Sequence, residues 1–208
     1  MAATRPESMP DAPSSGRTPD AAPESAAARR RRMALFFGIA GAVVLLDQLA
    51  KTWIDASFPM VSPGAPAGDP AAPTPVIGDF VRIAKTYNDG GIFGLFDAAG
   101  PVLGLLSVAI IAGIAWYAWR HGAAAGPIVM VGLGLLLGGA LGNLIDRARF
   151  GHVIDYVDTG LGNARFYAFN IADAAISIGI FLLIVAALFG DRLPGHRPAS
   201  PSAAGQAT

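Results

Sequence analysis

Residues 122–145 read GAAAGPIVMVGLGLLLGGALGNLI and contain no charged side chain. The hydrocarbon core of a bilayer is roughly 30 Å thick, and about 20 helical residues span it. Residues 98–119 and 174–190 are also uncharged, the latter extended upstream by residues 166–172, and residues 33–54 are apolar apart from Asp47 and Lys51. The sequence therefore predicts an all-α integral membrane protein with four transmembrane helices.

The composition agrees with a membrane protein and excludes several other classes. Of the 208 residues, 53% are hydrophobic and only 14% are charged, which leaves too little polar surface to enclose four such segments in water. The 15 basic and 15 acidic residues balance, and no basic run alternates with aromatics, so nucleic acid is not an expected partner. The absence of cysteine excludes disulfides, a thiolate nucleophile and cysteine-ligated metals.

The two ends of the chain differ from the apolar middle. Residues 1–32 are rich in Ala, Pro, Ser and Arg, and residues 191–208 have a similar composition without an apolar period. Such segments cannot bury a core, so we expect two disordered tails. The membrane domain is expected to occupy residues 33–190.

Basic residues next to the apolar segments predict the orientation of the chain. Four consecutive arginines, Arg29 to Arg32, precede the first segment, Arg120 follows the second, and Arg192 follows the fourth. Four crossings bring all of them to one side, and an excess of Lys and Arg marks the cytoplasmic side. We therefore expect both termini in the cytoplasm, with the loops at 55–97 and 147–165 on the outer side.

The first outer loop contains one segment with strand character. Residues 59–75 are rich in Pro, Ala and Gly and are expected to be irregular. Residues 80–87 contain β-branched and aromatic side chains in partial alternation, and the Asn-Asp-Gly-Gly run at 88–91 follows them. This pattern predicts a strand and a turn at the outer membrane surface.

Five carboxylates fall in one layer once this topology is fixed. Asp47 lies roughly 21 Å along the first helix from its start, and Asp146 and Asp173 flank the loop between helices three and four. Asp155 and Asp158 lie within that loop. Ionisable groups at membrane depth are costly and usually functional, so their convergence near the outer face predicts a site.

Two neighbouring carboxyl groups share a proton, and this allows one to activate water while the other stabilises the carbonyl under attack. Asn143 and Asn170 each stand three residues before an aspartate and are suited to orient it. A structural role, in which Asp47, Asp146 and Asp173 cap helices or pair with Lys51, Arg147 and Arg165, explains the same residues equally well. A zinc protease is disfavoured because no His-Glu-x-x-His motif is present.

The alternative to an enzyme is a non-enzymatic membrane protein, such as a transporter subunit that uses the same acids to bind ions or protons. A proton path would place polar residues along the whole membrane depth, whereas the central parts of helices two, three and four are apolar. The position of the acids therefore favours an enzyme.

Five ordered motifs resemble those of bacterial lipoprotein signal peptidase, signal peptidase II. They are Asp47-Gln-Leu-Ala-Lys51, Asn88-Asp-Gly-Gly-Ile-Phe93, Gly138-Gly-Ala-Leu-Gly-Asn-Leu-Ile-Asp-Arg147, Val153-Ile-Asp-Tyr156 and Phe169-Asn-Ile-Ala-Asp173. The resemblance implies a four-helix inner-membrane aspartyl protease with a small extracytoplasmic β-sheet. Such an enzyme removes the signal peptide of a diacylglyceryl-modified prolipoprotein just before the lipidated cysteine. Lipid-modified prolipoproteins and membrane lipids are the implied partners, no metal or other cofactor is implied, and we expect a monomer.

The resemblance also assigns roles to individual residues. The catalytic pair falls on Asp155 and Asp173, with Asp146 as the competitor. We prefer Asp155 because the adjacent Arg147 offers Asp146 a structural ion-pair partner. The other motif positions receive substrate-contact or site-ordering roles: Asn88, Gly142, Asn143, Asp146, Arg147 and Asn170, with Asp47 in support.

Overall fold

The computed structural model describes residues 26–62, 64–66, 68–89, 100–122 and 124–189. Most of the two predicted tails and the glycines of the predicted turn lie outside these ranges.

Four long helices dominate the described part of the chain. They are α1 (Ala26–Ser57), α2 (Gly100–His121), α3 (Pro127–Phe150) and α4 (Ile171–Phe189). Each contains a window of mean hydropathy 1.9 to 2.5 and is long and apolar enough to cross a membrane. The prediction of four membrane helices is confirmed, although several boundaries differ.

The differences at the helix ends have local causes. Helix α1 begins at Ala26, so the arginine run is helical rather than part of a disordered tail. Helix α3 starts at Pro127 because Gly126 is extended, with φ −65° and ψ 162°, and proline suits the first helical position. Helix α3 also continues beyond Asp146 to Phe150 and ends at Gly151, whose φ of 82° is left-handed.

Helix α4 is shorter at its start than the apolar run suggested. Residues 166–170 are not helical, since Phe169 instead forms a backbone bridge to Val157 of the sheet. The helix starts at Ile171, immediately after Asn170. The upstream extension predicted from hydrophobicity was therefore wrong, and this places Asp173 in the first turn of α4.

Helix α3 lies at the centre of the bundle and packs against the other three helices. Its glycines allow backbones to approach closely: a Cβ on Gly138 would lie 2.7 Å from Val43 of α1, and one on Gly139 would collide with the carbonyl oxygen of Ala172 in α4. Small residues at helix crossings are typical of membrane bundles. The glycine-rich run of α3 therefore serves helix packing.

A four-stranded antiparallel sheet lies at the end of the bundle where α1 and α3 end and α4 begins. Its order is β1-β2-β3-β4, with β1 at Thr74–Ile77, β2 at Val81–Asn88, β3 at Val153–Leu161 and β4 at Ala164–Arg165. Strand β2 confirms the predicted strand. Strand β3 lies within residues 147–165, for which the sequence pattern predicts only a loop. It brings Asp155 opposite Thr86 and Val153 opposite Asn88.

Candidate active site

The N-terminus of α4 holds the first part of the site. The side-chain oxygen of Asn170 accepts a hydrogen bond from the backbone N–H of Asp173 at 3.0 Å, and the Asp173 carboxylate accepts one from the backbone N–H of Asn170 at 3.2 Å. This reciprocal arrangement is a capping box, here built from Asn and Asp. The start of α4 therefore fixes the Asp173 carboxylate in one place.

Asp155 reaches the same point from β3. The Asn170 side-chain amide donates to Asp155 Oδ1 at 2.7 Å, and the Asn88 amide of β2 donates to Oδ2 at 3.0 Å. Asn143 of α3 donates to Asp173 Oδ1 at 2.7 Å. Asn170 thus binds both aspartates, and each of their four oxygens accepts a hydrogen bond.

The two carboxyl groups influence each other electrostatically. Burial, and after it the negative charge of Asp173, raises the pKa of Asp155 to about 6. The hydrogen bonds from Asn88 and Asn170 act in the opposite direction but are weaker. A raised pKa next to a second carboxylate is the property expected of a pair that shares one proton.

A buried ion-pair network lies beside this pair. Lys51 of α1 contacts Asp47 Oδ2 and Asp146 Oδ2, both at 2.8 Å, and all three side chains are almost fully buried. Asp47 also accepts a hydrogen bond from the backbone N–H of Ala172 at 3.0 Å, and so caps α4 from a neighbouring helix. Asp146 accepts further hydrogen bonds from Gln48 and from the backbone N–H of Ile154.

Asp47 and Asp146 therefore take part in buried ion pairs of the kind that the structural alternative predicts, and Asp173 takes part in the cap of α4, but the partner of Asp146 differs from the predicted one. Asp146 pairs with Lys51, four residues after Asp47, and not with the adjacent Arg147. Consecutive helical residues point in directions about 100° apart, so a neighbour in sequence is a poor partner in space.

Arg147 instead faces the aspartate pair. Its guanidinium interacts electrostatically with Asp173, Asp155 and Asp146. Nη1 donates to the Asn143 carbonyl oxygen at a long 3.5 Å, and the buried Nε has no hydrogen-bond partner among the described residues. Arg147 therefore lies beside the two carboxylates with its buried Nε donor unpaired among the described residues.

Asp158 belongs to a separate surface cluster. Arg82 Nη2 lies 2.6 Å from Asp158 Oδ2, and Arg165 Nε lies 3.0 Å from Oδ1. Although burial opposes ionisation, the hydrogen bonds from Arg165 and Arg82 hold the pKa of Asp158 below its ordinary value. Asp158 therefore stabilises the sheet and does not join the aspartate pair.

The remaining predicted residue, Gly142, acts through its lack of a side chain. A Cβ at this position would lie 2.6 Å from Asp47 Oδ2. Its carbonyl oxygen accepts a hydrogen bond from Gln48 at 3.2 Å. Within the described residues, no group of three or more His, Cys, Asp or Glu side chains is arranged to hold a metal ion.

Three side chains near the site were not proposed as site residues from the sequence. Lys51 and Gln48 belong to the Asp47-Gln-Leu-Ala-Lys51 motif. The spacing of four residues between Asp47 and Lys51 could have predicted their ion pair, since it puts both side chains on one helix face. Tyr156 is buried, and its hydroxyl group has no hydrogen-bond partner within the described part of the chain. Burial raises its pKa to about 12.

The fold and the site together define a class: an integral membrane protein with two coupled carboxyl groups where four helices meet a small sheet. Residues 39–189 match the family model described as Signal peptidase (SPase) II. The lipoprotein signal peptidase of Syntrophus aciditrophicus is 38% identical over 161 residues, which cover 75% of this chain and 93% of that protein. That of Caulobacter vibrioides is 36% identical over 156 residues, 72% of this chain and 83% of that protein.

A solved structure of a bacterial membrane enzyme agrees with these relatives. It superposes with a TM-score of 0.63 at 28% identity, and covers 79% of this chain and 93% of its own. The chain belongs to the signal peptidase II family and is a membrane-embedded protease.

Proposed function

We propose that Asp155 and Asp173 form the catalytic dyad of this peptidase, and that its substrate is a diacylglyceryl-modified prolipoprotein cut just before the lipidated cysteine. The observation that carries the assignment is Asn170, whose side-chain amide donates to the Asp155 carboxyl group while its backbone N–H donates to the Asp173 carboxyl group. Asp146 lacks this arrangement because its oxygens are engaged by Lys51, Gln48 and a backbone amide.

The proposed reaction follows from one proton shared by two acids. Asp155, whose raised pKa favours the protonated form, donates a hydrogen bond to the carbonyl oxygen of the scissile peptide. Ionised Asp173, at the positive end of the α4 dipole, removes a proton from water, and the water oxygen attacks the carbonyl carbon. When the C–N bond breaks, the proton held by Asp173 passes to the leaving nitrogen.

Neighbouring side chains have positioning and binding roles in this proposal. Asn88, Asn143 and Asn170 orient the two carboxyl groups through the hydrogen bonds described above. The unused donors of Arg147 are suited to bind a substrate carbonyl beside the dyad. Gly142 leaves room for Asp47 at the start of α4.

The orientation in the membrane is also a proposal. The Arg29 guanidinium lies 5.0 Å from the ring of Trp119, so the start of α1 and the end of α2 are at one end of the bundle. That end carries the basic residues, which supports cytoplasmic termini and a site at the outer face. Reporter fusions to the C-terminus and an accessible tag at Gly64 test this, with the tag expected outside.

We further place the peptidase unit in residues 33–190, to which α1 adds 26–32, and propose that it acts as a monomer. In support, the family match spans 39–189, and this range contains both aspartates and the asparagines that donate to them. Native mass spectrometry of the active enzyme tests the monomer, and activity found only in a dimeric fraction would contradict it.

Replacing individual carboxyl groups tests the dyad. Asp155→Asn and Asp173→Asn nearly preserve volume, so each variant should insert, bind substrate and lose essentially all turnover. Asp146→Asn should retain partial activity with lower stability, because it removes an ion pair with Lys51. Cleavage of a diacylglyceryl-modified prolipoprotein by purified protein is the assay. A folded Asp155→Asn enzyme with near wild-type turnover, beside an inactive Asp146→Asn, would move the dyad to Asp146 and Asp173.

A further inference from the structure

Lys51 does more in this structure than neutralise two acids. A lysine ammonium group has three N–H donors, and all three are engaged. Two contact Asp47 and Asp146 at 2.8 Å, and the third donates to Asn143 Oδ1 at 2.9 Å. The Lys51 side chain is only 2% exposed, so no water competes for these positions.

The third contact links Lys51 to the dyad. Asn143 Oδ1 also accepts a hydrogen bond from the Asn170 amide at 3.2 Å, while Asn143 Nδ2 donates to Asp173 Oδ1 at 2.7 Å. In the opposite amide orientation, the Asn143 NH₂ group would face the Lys51 ammonium and a second NH₂ group, and its oxygen would face a carboxylate. The partners of Asn143 therefore permit one orientation.

The contact between Lys51 and Asn143 Oδ1 also strengthens the hydrogen bond that Asn143 Nδ2 donates to Asp173. An amide held between a cation at its oxygen and a carboxylate at its nitrogen is polarised, and hydrogen bonds in such a chain strengthen one another. The cation makes this a charge-assisted chain, in which each bond is stronger than its neutral equivalent.

We propose that Lys51 is a positioning residue for catalysis, which acts through the Asn143 amide to hold the Asp173 carboxylate in its reactive position. This inference rests on the proposed dyad of Asp155 and Asp173. Lys51 makes no hydrogen bond to either carboxyl group of the dyad in the contacts described, and its hydrogen-bonded route to Asp173 runs through Asn143. Its charge also acts directly on Asp155, where it opposes the rise in pKa, and this smaller effect should remain when Asn143 is removed.

A double-mutant cycle on the purified full-length enzyme tests the link. Lys51→Met should lower kcat on a diacylglyceryl-modified prolipoprotein about 10- to 100-fold, the range expected when a charge-assisted hydrogen bond is lost, and should change KM less than about threefold. In an Asn143→Ala background the link is already absent, so Lys51→Met should lower kcat by no more than about threefold. An equal loss in both backgrounds, or a higher KM at unchanged kcat, would overturn the proposal.

Lys85→Met is the matched control for loss of a buried lysine. Lys85 is 6% exposed and donates to the carbonyl oxygen and Oδ1 of Asp55, away from Asn143. Its effect on kcat should be the same with and without Asn143→Ala. A coupling to Asn143 as large as that of Lys51 would show that the cycle reports general destabilisation, and would overturn the proposal.

Removal of Lys51 leaves two buried carboxylates without their cation, so a charge-matched variant is needed if Lys51→Met does not fold. The effect of Lys51→Met is then measured in an Asp146→Asn enzyme, with and without Asn143→Ala. The same outcomes support or overturn the proposal. A separate measurement tests the dyad on which the proposal rests. A folded Asp155→Asn or Asp173→Asn enzyme that cleaves at the wild-type rate would disprove the dyad, and with it the role of Lys51.

Discussion

Gly142 is the position where a single methyl group should do most damage. In Gly142→Ala the new Cβ would lie 2.6 Å from Asp47 Oδ2 and 3.3 Å from the Ala172 Cβ. Asp47 cannot easily withdraw, because its oxygens are held by Lys51 and by the Ala172 N–H. Alanine should therefore disturb the crossing of α1, α3 and α4 together.

The magnitude follows from three contributions. Overpacking costs about 1–3 kcal/mol, and loss of the Asp47 cap on α4 costs about 1 kcal/mol. The better helix propensity of alanine returns about 1 kcal/mol. The net loss of about 1–3 kcal/mol corresponds to a fall of about 2–12 °C in Tm for a chain of this size.

Thermal unfolding in detergent, followed by intrinsic fluorescence, measures this loss. Gly104→Ala in α2 is the matched control, because its Cβ would meet no atom within 4 Å, and its Tm should stay level or rise. In an Asp47→Ala background Gly142→Ala should lower Tm much less, since the Asp47 Oδ2 atom that the new Cβ would overlap is absent. Equal Tm changes for the two glycine variants, or an undiminished cost without Asp47, would refute the reasoning.

Other predictions concern ionisation, metals and the chain ends. Asp158→Asn should lower Tm at neutral pH. The difference in Tm between variant and wild type should vanish as pH falls through the lowered pKa of Asp158, because protonation then weakens the two arginine interactions in the wild type as well. Melting curves from pH 7 to 2.5 measure this difference. Asp173→Asn should lower the pKa of Asp155 from about 6, because it removes the negative charge of Asp173 and leaves burial as the main cause that raises this pKa. Carboxyl ¹³C NMR follows the titration, and an unchanged pKa would show that the two carboxyl groups do not interact. Cleavage should persist in EDTA, and a loss reversed by zinc would contradict a metal-free dyad. Deletion of residues 1–25 and 191–208 should leave kcat within about twofold, because neither segment has the apolar pattern to pack on the bundle.

The membrane helices could be predicted because their signal is a property of single segments. An uncharged run such as residues 122–145 has only one stable position, across the bilayer, so its existence follows from hydrophobicity alone. Its start could not be placed in the same way, since the Gly126-Pro127 pair is apolar and yet begins the helix. Strand β3 was missed because Val153 to Tyr156 are buried consecutively and show no alternation.

Most residues of the candidate site could be predicted from the sequence, but the contacts between them could not. Positions of acids along the chain gave the layer in which they meet, whereas the choice of partner depends on helix rotation. Arg147 is next to Asp146 in sequence, but the buried cation that binds Asp146 comes from α1. Such a contact between residues separated by 95 positions carries no local pattern.

The position of Asn170 and Asp173 at the start of α4 has a consequence during synthesis of the protein. Translation releases α1 first and α4 last, and Asp173 is in the first turn of that final span. Until α4 inserts, the nascent chain carries Asp155 without its companion and without Asn170, which holds both. If Asp155 and Asp173 form the dyad as proposed, the growing polypeptide should not cleave peptide bonds until α4 has been made and inserted.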